Sequence, residues 1–141
     1  MPAGAVTLVD IQSVDWSLEL DSTAGDGPGS GIGNVVQGLA DINQCIAIIL
    51  TTPKGTDPFR PDFACDVWKY VDKPLTLSLP QIVREVTEAI TKWEPRVTLI
   101  SVVPEALDPN DQGGAHLSID ITWQLALGGT VTPPQTTTVT L

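Results

Sequence analysis

The sequence predicts an α+β fold: an antiparallel sheet with two main amphipathic helices packed on one face. Apolar residues at helical spacing predict one helix over residues 34–52 and a second between Ser78 and Pro95. Strict alternation of apolar and polar residues over 117–127 predicts a strand with one face on a core. With 141 residues, 42% of them hydrophobic, the chain is expected to form one domain over residues 1–141.

The charge of the chain argues against several classes of partner. It carries 17 acidic and 7 basic side chains, which gives a net charge of −10 at pH 7. Because phosphate contacts need clustered lysine and arginine, we expect neither nucleic-acid binding nor binding to anionic lipid. The longest apolar run, Cys45 to Leu50, is much shorter than the ~20 residues of a membrane helix. We therefore expect a soluble protein made in the cytoplasm.

The first third of the chain contains a predicted strand, a loop and a helix. The strand covers residues 14–21 and is expected to be half-buried through alternating apolar residues. These are Val14, Trp16, Leu18 and Leu20. The Gly-rich loop at residues 24–33 lacks the spacing of a phosphate-binding motif. Asn34 is the expected N-cap of the first helix. Gly38 within that helix predicts close approach of another backbone, and Pro53 ends the helix.

The middle of the chain is predicted to be an ordered loop followed by a short helix. In the loop over residues 54–63, Phe59 and Phe63 are expected to be buried because both are large and aromatic. The short helix is predicted over Cys65–Val71. Within it, Trp68 is the candidate for an exposed, partner-binding aromatic side chain.

The second main helix has the clearest sequence pattern. Ser78 and Gln81 have the spacing of a capping box, which predicts that the helix starts at Ser78. Glu88 precedes Lys92 by four residues, which predicts an ion pair on the helix surface. Pro95 is expected to end the helix. The core-facing stripe is predicted to consist of Leu79, Ile82, Val83, Val86, Ile90 and Trp93.

The last third is predicted to be β-structure. A strand is expected over residues 97–103, a turn over 104–114, the alternating strand over 117–127, and a further strand or tail over 130–141. These strands and the tail contain no lysine or arginine, the residues that commonly protect exposed sheet edges. We therefore hypothesise that the C-terminal edge pairs with another protein by strand addition. The alternatives are a frayed tail and a strand paired inside its own sheet. Candidate partner-binding residues are Thr130, Val131, Thr138, Val139 and Leu141.

The sequence predicts no catalytic, cofactor or metal site. Because His116 is the only histidine and Cys45 and Cys65 are far apart, the chain cannot assemble a tetrahedral zinc site from soft ligands. The two cysteines are expected to be buried thiols, with a disulfide only in an oxidising setting. Some of the 17 carboxylates must lie close together, but proximity alone is weak evidence for glycosidase chemistry. An enzyme is not expected.

Several segments occur in the order that is typical of one family. These are Gly38–Thr52, Gly55, Phe59–Phe63 and Trp93–Arg96. Over about half of the chain, they resemble the GPW-like baseplate wedge proteins of contractile-tailed phages, whose relatives include the TssE component of type VI secretion baseplates. The triplet Glu94, Pro95 and Arg96 directly after a helix is the most specific mark. The chain departs from the family pattern at Thr56, Asp57 and Ala64; the last position is often glycine in the family.

The resemblance implies a structural, non-enzymatic role in the virion. Such proteins lie in several copies in a six-fold tail baseplate, which assembles in the host cytoplasm. Their partners are other baseplate wedge proteins, the tail sheath protein, and tail hub or tube-proximal proteins, and they initiate sheath assembly through an exposed sheet edge. A TssE-like role in a secretion baseplate is the alternative, and a carboxylate-pair glycoside hydrolase is a third, weaker one.

Glu94, Pro95 and Arg96 are candidate partner-binding residues with two interpretations. Glu94 and Arg96 can form an internal ion pair that joins the end of the helix to the following strand. Alternatively, one or both side chains contact a neighbouring wedge subunit. In either case, removal of one buried partner is expected to leave the other charge unpaired.

Overall fold

The computed structural model describes residues 15–20, 35–107, 116–125 and 133–141, and it confirms the α+β class. The predicted Gly-rich loop at 24–33 lies outside these residues, as do Asn34, Thr130 and Val131. The described elements are β1 (Trp16–Leu18), β2 (Val35–Gln37), α1 (Leu39–Thr51), a 3₁₀ turn (Val67–Lys69), α2 (Leu75–Trp93), β3 (Val97–Leu107), β4 (His116–Leu125) and β5 (Gln135–Thr140). Neither α1 nor α2 is long and apolar enough to cross a bilayer.

The chain divides into two compact units between Cys45 and Ile46. In the first unit, β1 and β2 form an antiparallel ribbon in which Trp16 lies opposite Gln37. Gln44 in α1 holds the end of β1 through its side-chain amide: it accepts from the backbone of Leu20 at 2.8 Å and donates to the carbonyl of Leu18 at 2.7 Å. These polar contacts hold β1 in place without burying its side chains. Trp16, Leu18 and Leu20 are all exposed, so the prediction of a half-buried strand is wrong.

The first helix starts later than predicted because the residues before it form β2. Val35–Gln37 pair with β1, and α1 begins at Leu39 rather than next to Asn34. Gly38 joins the strand to the helix with φ of +60°, in the left-handed region that favours glycine. The backbone of Asp15 does approach Gly38, whose amide donates to the Asp15 carbonyl at 3.2 Å. A Cβ at Gly38 would nevertheless meet no described atom within 4 Å, so this approach does not itself require glycine. Glycine is favoured here because the turn between β2 and α1 requires a positive φ.

The core of the second unit uses the predicted helix and strand faces. α2 packs against β3 and the 3₁₀ turn. The buried apolar side chains include Ile46, Ile49 and Leu50 of α1, Ile82, Val86 and Ile90 of α2, and Leu117, Ile119, Ile121 and Trp123 of β4. The buried part of each predicted pattern is therefore confirmed, whereas Leu79, Val83 and Trp93 of the α2 stripe are only half-buried and Leu39 of α1 is exposed. The predicted short helix is reduced to the 3₁₀ turn over Val67–Lys69.

Local signals at the ends and surface of α2 were misleading. The helix begins at Leu75 after Pro74, so the Ser78–Gln81 spacing does not mark its start; Ser78 is buried inside the helix. Glu88 pairs with Arg84, whose Nε lies 3.3 Å from Glu88 Oε1. The predicted partner Lys92 instead pairs with Asp62, thirty residues away along the chain. A loop that folds back onto the helix therefore supplies an acid that local spacing cannot reveal.

β3, β4 and β5 form an antiparallel sheet in that order. β3 continues past the predicted boundary to Leu107, with Pro104 opposite Ile119 and a register shift between Leu99 and Ser101. The predicted turn at residues 104–107 is thus strand. Proline is compatible with this position because β3 is an edge strand, whose outer side needs no donor within the sheet.

Candidate functional site

The corner between α2 and β3 is formed by Glu94, Pro95 and Arg96. The Glu94 amide donates to the carbonyl of Ile90 at 2.8 Å and ends the helix; the Val97 amide then donates to the carbonyl of Glu94 at 3.3 Å and starts the strand. The Arg96 guanidinium forms a bidentate ion pair with the Glu94 carboxylate. Its Nε lies 2.6 Å from Oε1, and its Nη2 lies 2.7 Å from Oε2. The predicted internal ion pair is present.

This pair joins a buried acid to a partly exposed base. Glu94 is only 3% exposed, whereas the Arg96 side chain is 27% exposed. A carboxylate with so little contact with water needs a charged partner, and bidentate geometry makes that partner specific. The pair therefore fixes the angle between the helix and the strand. Contact of these residues with a neighbouring subunit stays a prediction.

Trp68 lies in the 3₁₀ turn and is 40% exposed, so its predicted exposure is confirmed. Its neighbour Lys69 pairs with Asp66 at 3.0 Å. The ammonium of Lys73 lies 4.8 Å from the centre of the Tyr70 ring. These contacts hold the turn around Trp68; a role of Trp68 as an anchor for a partner stays a prediction.

Among the described strands, the C-terminal strand β5 pairs with β4 alone. Leu117 and Leu141 exchange two backbone hydrogen bonds, at 3.0 and 2.8 Å. Since hydrogen-bonded pairs alternate along an antiparallel ladder, Val139 and Thr137 also direct their backbone groups toward β4. The N–H and C=O groups of the residues in between consequently point away from β4. These residues are Thr136, Thr138 and Thr140.

The same register locates three of the predicted partner-binding residues, whose contact with a partner stays a prediction. Val139 is buried and faces the core, and Leu141 bonds to Leu117, so neither belongs to the outer edge. Thr138 does belong to it, and its hydroxyl donates to Asp120 Oδ1 at 2.6 Å. Thr136 and Thr140 are edge residues that the sequence analysis missed, because strand register cannot be read from a uniform run of threonines.

The two edges of this sheet differ in how well they are protected. On β3, Val103 lies opposite Asp120 and Glu105 lies opposite Ser118, and the backbone groups of these two residues face β4. The backbone of Pro104, between them, therefore faces outward, where proline has no N–H to donate. The register shift next to Ile100 further disrupts this edge. β5 has neither a proline nor a bulge within Gln135–Thr140. Of the two edges, only that of β5 presents an uninterrupted row of donors and acceptors.

A second exposed feature is the Phe59 loop, residues 57–63. Asp57 closes it: Oδ1 accepts from the amides of Phe59 at 2.9 Å and Arg60 at 3.3 Å, and Oδ2 lies 3.2 Å from Arg60 Nε. The Arg60 guanidinium lies 4.5 Å from the centre of the Phe63 ring. Phe59 itself is 94% exposed, so its predicted burial is wrong.

The Phe59 loop is attached to the end of α2 by two contacts. Phe63 meets Trp93 edge to face, with ring centres 5.2 Å apart, and Lys92 binds Asp62. The loop ends at Ala64, which is buried and has φ of 74°. The chain keeps here the left-handed conformation that favours glycine, the residue often found at this position in the resembling family.

The Phe59 loop is expected to survive mild acid. The amide of Phe59 lowers the pKa of Asp57, and the hydrogen bond from Lys92 lowers the pKa of Asp62. A lowered pKa in the folded protein stabilises the loop above the ordinary value of 3.8, and this contribution is lost as pH falls through the lower, folded value. In a carboxyl titration by NMR, both midpoints should lie below 3.8. A midpoint at or above 3.8 for Asp57 would contradict this closure of the loop.

Neither Cys45 nor Cys65 forms a disulfide. Cys65 is buried, and burial raises the pKa of its thiol. Its sulfur lies 3.7 Å from the carbonyl of Leu50. Cys45 is half-buried. Cys65 matches the predicted buried thiol, and Cys45 does so in part.

Comparison with known proteins identifies the family. The family described as baseplate wedge protein gp25 matches residues 36–128, which span α1, α2, β3 and β4. The chain belongs to the gp25 family of baseplate wedge proteins. The resemblance inferred from Glu94, Pro95 and Arg96 is thereby confirmed. β5 lies beyond the matched segment.

Two curated relatives support this membership. Baseplate protein W of Escherichia phage P2 is 42% identical over 71 residues, which cover 50% of this chain and 62% of that protein. Baseplate wedge protein gp25 of Enterobacteria phage T4 is 33% identical over 66 residues, which cover 46% of this chain and 50% of that protein. The chain thus spans between half and two thirds of the length of these gp25-family relatives.

Solved structures share the gp25-family fold. A candidate tail lysozyme from Geobacter sulfurreducens superposes with a TM-score of 0.60 at 33% identity, covering 75% of this chain and 93% of that one. A chain of the postcontracted pyocin R2 baseplate superposes with a TM-score of 0.53 at 26% identity, covering 77% and 98%. A chain of the anti-feeding prophage baseplate shares the fold, with a TM-score of 0.58 at 22% identity over 73% and 80%.

Proposed function

We propose that this chain is a structural, non-enzymatic component of the baseplate wedge in a contractile phage tail. It joins neighbouring wedge subunits and initiates assembly of the tail sheath by β-strand addition. Its membership of the gp25 family supports the baseplate role. The single observation that supports strand addition is the edge of β5 that no described strand covers, where Thr136, Thr138 and Thr140 direct their backbone groups away from β4.

Strand addition at β5 has a physical basis in the contrast between the two sheet edges. An incoming strand finds donors and acceptors in register along β5, whereas Pro104 and the neighbouring register shift interrupt the edge of β3. No basic side chain and no proline lies within Gln135–Thr140 to oppose pairing. Because β5 lies outside residues 36–128, this proposal depends on the edge geometry of this chain rather than on the family match.

The partners follow from this role. The tail sheath protein adds its strand at β5, and other wedge proteins, together with tail hub or tube-proximal proteins, contact the remaining surface. Several copies occupy a six-fold baseplate in the virion, after assembly in the host cytoplasm. Contact of a wedge neighbour with the exposed part of Arg96 or with Trp68 belongs to the same proposal.

The ion pairs of three described carboxylates, Glu94, Asp57 and Asp62, support a non-enzymatic role. A glycosidase needs a carboxylic acid of raised pKa opposite a second carboxylate. In the described residues the deeply buried carboxylate of Glu94 is held by Arg96, and the pKa values of Asp57 and Asp62 are shifted down rather than up. Each of these three carboxylates has a basic partner, an arrangement that suits ion pairs rather than a general acid. A zymogram on cell-wall substrate tests the hydrolase alternative.

The strand-addition proposal is tested by Thr138→Pro. Proline removes an N–H on the outer side of β5, where no bond to β4 is lost, so the chain should still fold. Loss of one hydrogen bond to the incoming strand is expected to weaken sheath binding about tenfold. The measurement is the amount of sheath protein that cosediments with baseplates carrying the variant.

Thr138→Val is the matched control because it loses the hydroxyl bond to Asp120 but keeps the outward N–H. It should bind sheath like the unaltered chain. If Thr138→Pro folds, enters baseplates and binds sheath normally, strand addition at β5 is wrong.

Deletion of residues 130–141 is a poorer test of strand addition. It removes β5, which pairs with β4 next to the buried Trp123, and thereby destabilises the sheet itself.

The TssE-like role differs from the phage-tail role in its genetic surroundings. Neighbouring genes for capsid and tape-measure proteins indicate a phage tail, whereas a gene for a sheath-recycling ATPase indicates a secretion baseplate. The same strand-addition test applies to both.

A further inference from the structure

The Phe59 loop holds a large apolar side chain almost fully in water. At 94% exposed, Phe59 makes almost no contact with its own chain, although Phe63 four residues later is packed on Trp93. A single exposed aromatic residue on a loose loop would need no explanation. This loop, however, is closed by hydrogen bonds of Asp57 and attached to α2 at Phe63 and Asp62. Its structure presents Phe59 in a defined position.

We propose that Phe59 is an anchor that inserts into an uncharged, apolar pocket of a different baseplate protein. Because the backbone of the loop is already held by Asp57, Phe63 and Asp62, binding through Phe59 orders only the two side-chain torsions of this residue, and aromatic side chains are enriched among the residues that dominate interface energetics. This inference rests on the proposed baseplate role and assigns to it a contact that neither β5 nor Arg96 supplies.

The charges around Phe59 indicate the chemistry of the partner. The exposed ions of the loop are already paired: Asp57 with Arg60, and Asp62 with Lys92. When a partner covers this surface, each ion of these pairs therefore keeps its counter-ion. A partner that brought a further charge would bury that charge unpaired. The complementary surface is a neutral pocket lined by aliphatic or aromatic side chains.

A second copy of this chain fits the anchor poorly. Beside the loop lies a cleft of about 200 Å³ whose polar lining residues are Lys54, Asp62, Glu85, Glu88 and Lys92. A phenyl ring placed there would take water away from these charged groups without offering them a polar contact, so this cleft is not the apolar pocket that the anchor needs. Two copies also repel each other, since each carries a net charge of −10. These charges favour a different protein with an apolar pocket as the occupant.

The first test is photo-crosslinking in assembled particles. A Phe59→p-benzoylphenylalanine variant of the full chain is incorporated into contractile particles, irradiated and analysed by mass spectrometry. The expected result is a crosslink to apolar residues of another baseplate protein, well above the yield from the same probe at Arg84, an exposed position on α2. A crosslink to a second copy, or a yield no higher than at Arg84 in particles that contain the chain, overturns the anchor. If the chain is absent from purified particles, the proposed baseplate role itself fails, and the anchor with it.

The second test separates the anchor from folding. Purified variants are added to an assembly extract that lacks the chain, and particle formation is measured against concentration. Phe59→Ser should raise the half-maximal concentration about 30-fold, and Phe59→Leu by less than about fivefold, because leucine still fills an apolar pocket. Asp57→Ala should also raise it, by loosening the loop.

Since Phe59 is exposed, Phe59→Ser should change Tm by less than about 2 °C. Equal half-maximal concentrations for Phe59→Ser and the unaltered chain would overturn the anchor while leaving the baseplate role intact. A fall in assembly with Phe59→Ser that is matched by Phe59→Leu would also overturn it, because an apolar pocket distinguishes these two side chains.

Discussion

Arg96→Ala is expected to lower the free energy of unfolding by about 3–5 kcal/mol. The substitution leaves the Glu94 carboxylate, which is 3% exposed, without the guanidinium that now binds both of its oxygens. An uncompensated buried charge costs much more than the pair contributes, so the loss exceeds that of any surface ion pair of this chain. Urea denaturation followed by circular dichroism measures it.

Two controls separate the charge effect from other causes. Arg84→Ala removes an exposed partner of Glu88 and should cost less than about 1 kcal/mol. The double variant Glu94→Met with Arg96→Met removes both charges and should recover most of the lost stability, since apolar residues of similar volume often replace a buried pair without cost. If Arg96→Ala is no more destabilising than Arg84→Ala, the corner is not held by this pair.

The same double variant decides between the two interpretations of the corner. If it is as stable as the unaltered chain and enters baseplates normally, contact of Glu94 or Arg96 with a neighbouring subunit is excluded. If it is stable but fails to assemble, the exposed part of Arg96 makes that contact. Arg96→Ala alone cannot distinguish these outcomes because it alters folding as well.

Trp123→Ala is expected to cost about 3–5 kcal/mol, because it leaves a cavity at the centre of the sheet. Trp123 in β4 is fully buried, and its indole Nε1 donates to Thr137 Oγ1 of β5 at 2.9 Å. The side chain thus supports the strand that we propose to receive the sheath. Urea denaturation measures the loss, and amide exchange of β5 should accelerate in parallel.

Trp123→Phe distinguishes the cavity from the hydrogen bond. It retains an aromatic ring in the core but removes the indole N–H, so a loss of about 1–2 kcal/mol is expected. If Trp123→Phe and Trp123→Ala lower the free energy of unfolding equally, the hydrogen bond to Thr137 rather than packing of the ring stabilises β5. If neither variant changes amide exchange in β5, support of this strand by Trp123 is wrong.

The elements that could be predicted from sequence are those whose signal is a repeated pattern of burial. The stripe of Ile82, Val86 and Ile90 and the alternation of Ile119, Ile121 and Trp123 both identified side chains that the structure buries. Such patterns are reliable because each repeat adds independent evidence that one face leaves water. Short signals were less reliable: Ser78 and Gln81 have capping-box spacing by coincidence, inside a helix that begins at Leu75.

The candidate site could be predicted only in part. Glu94, Pro95 and Arg96 were found because a helix end and a strand start are local, and their ion pair spans two residues. Thr136 and Thr140 were missed, since the outward direction of their backbone groups depends on register with β4. Phe59 was misjudged because hydrophobicity indicates what a side chain prefers, whereas the hydrogen bonds of Asp57 determine where the loop directs it.

The sequence by itself determined the α+β class, the family, and the faces of α2 and β4 that enter the core, because periodicity and short motifs are properties of neighbouring residues. The tertiary structure decided that, among the described strands, β5 has β4 as its one neighbour while Pro104 interrupts the opposite edge of the sheet, that Lys92 pairs with Asp62, and that Phe59 faces solvent. The physical reason is that strand pairing and ion pairing join residues distant in the chain. Their geometry exists only after the core has brought those residues together.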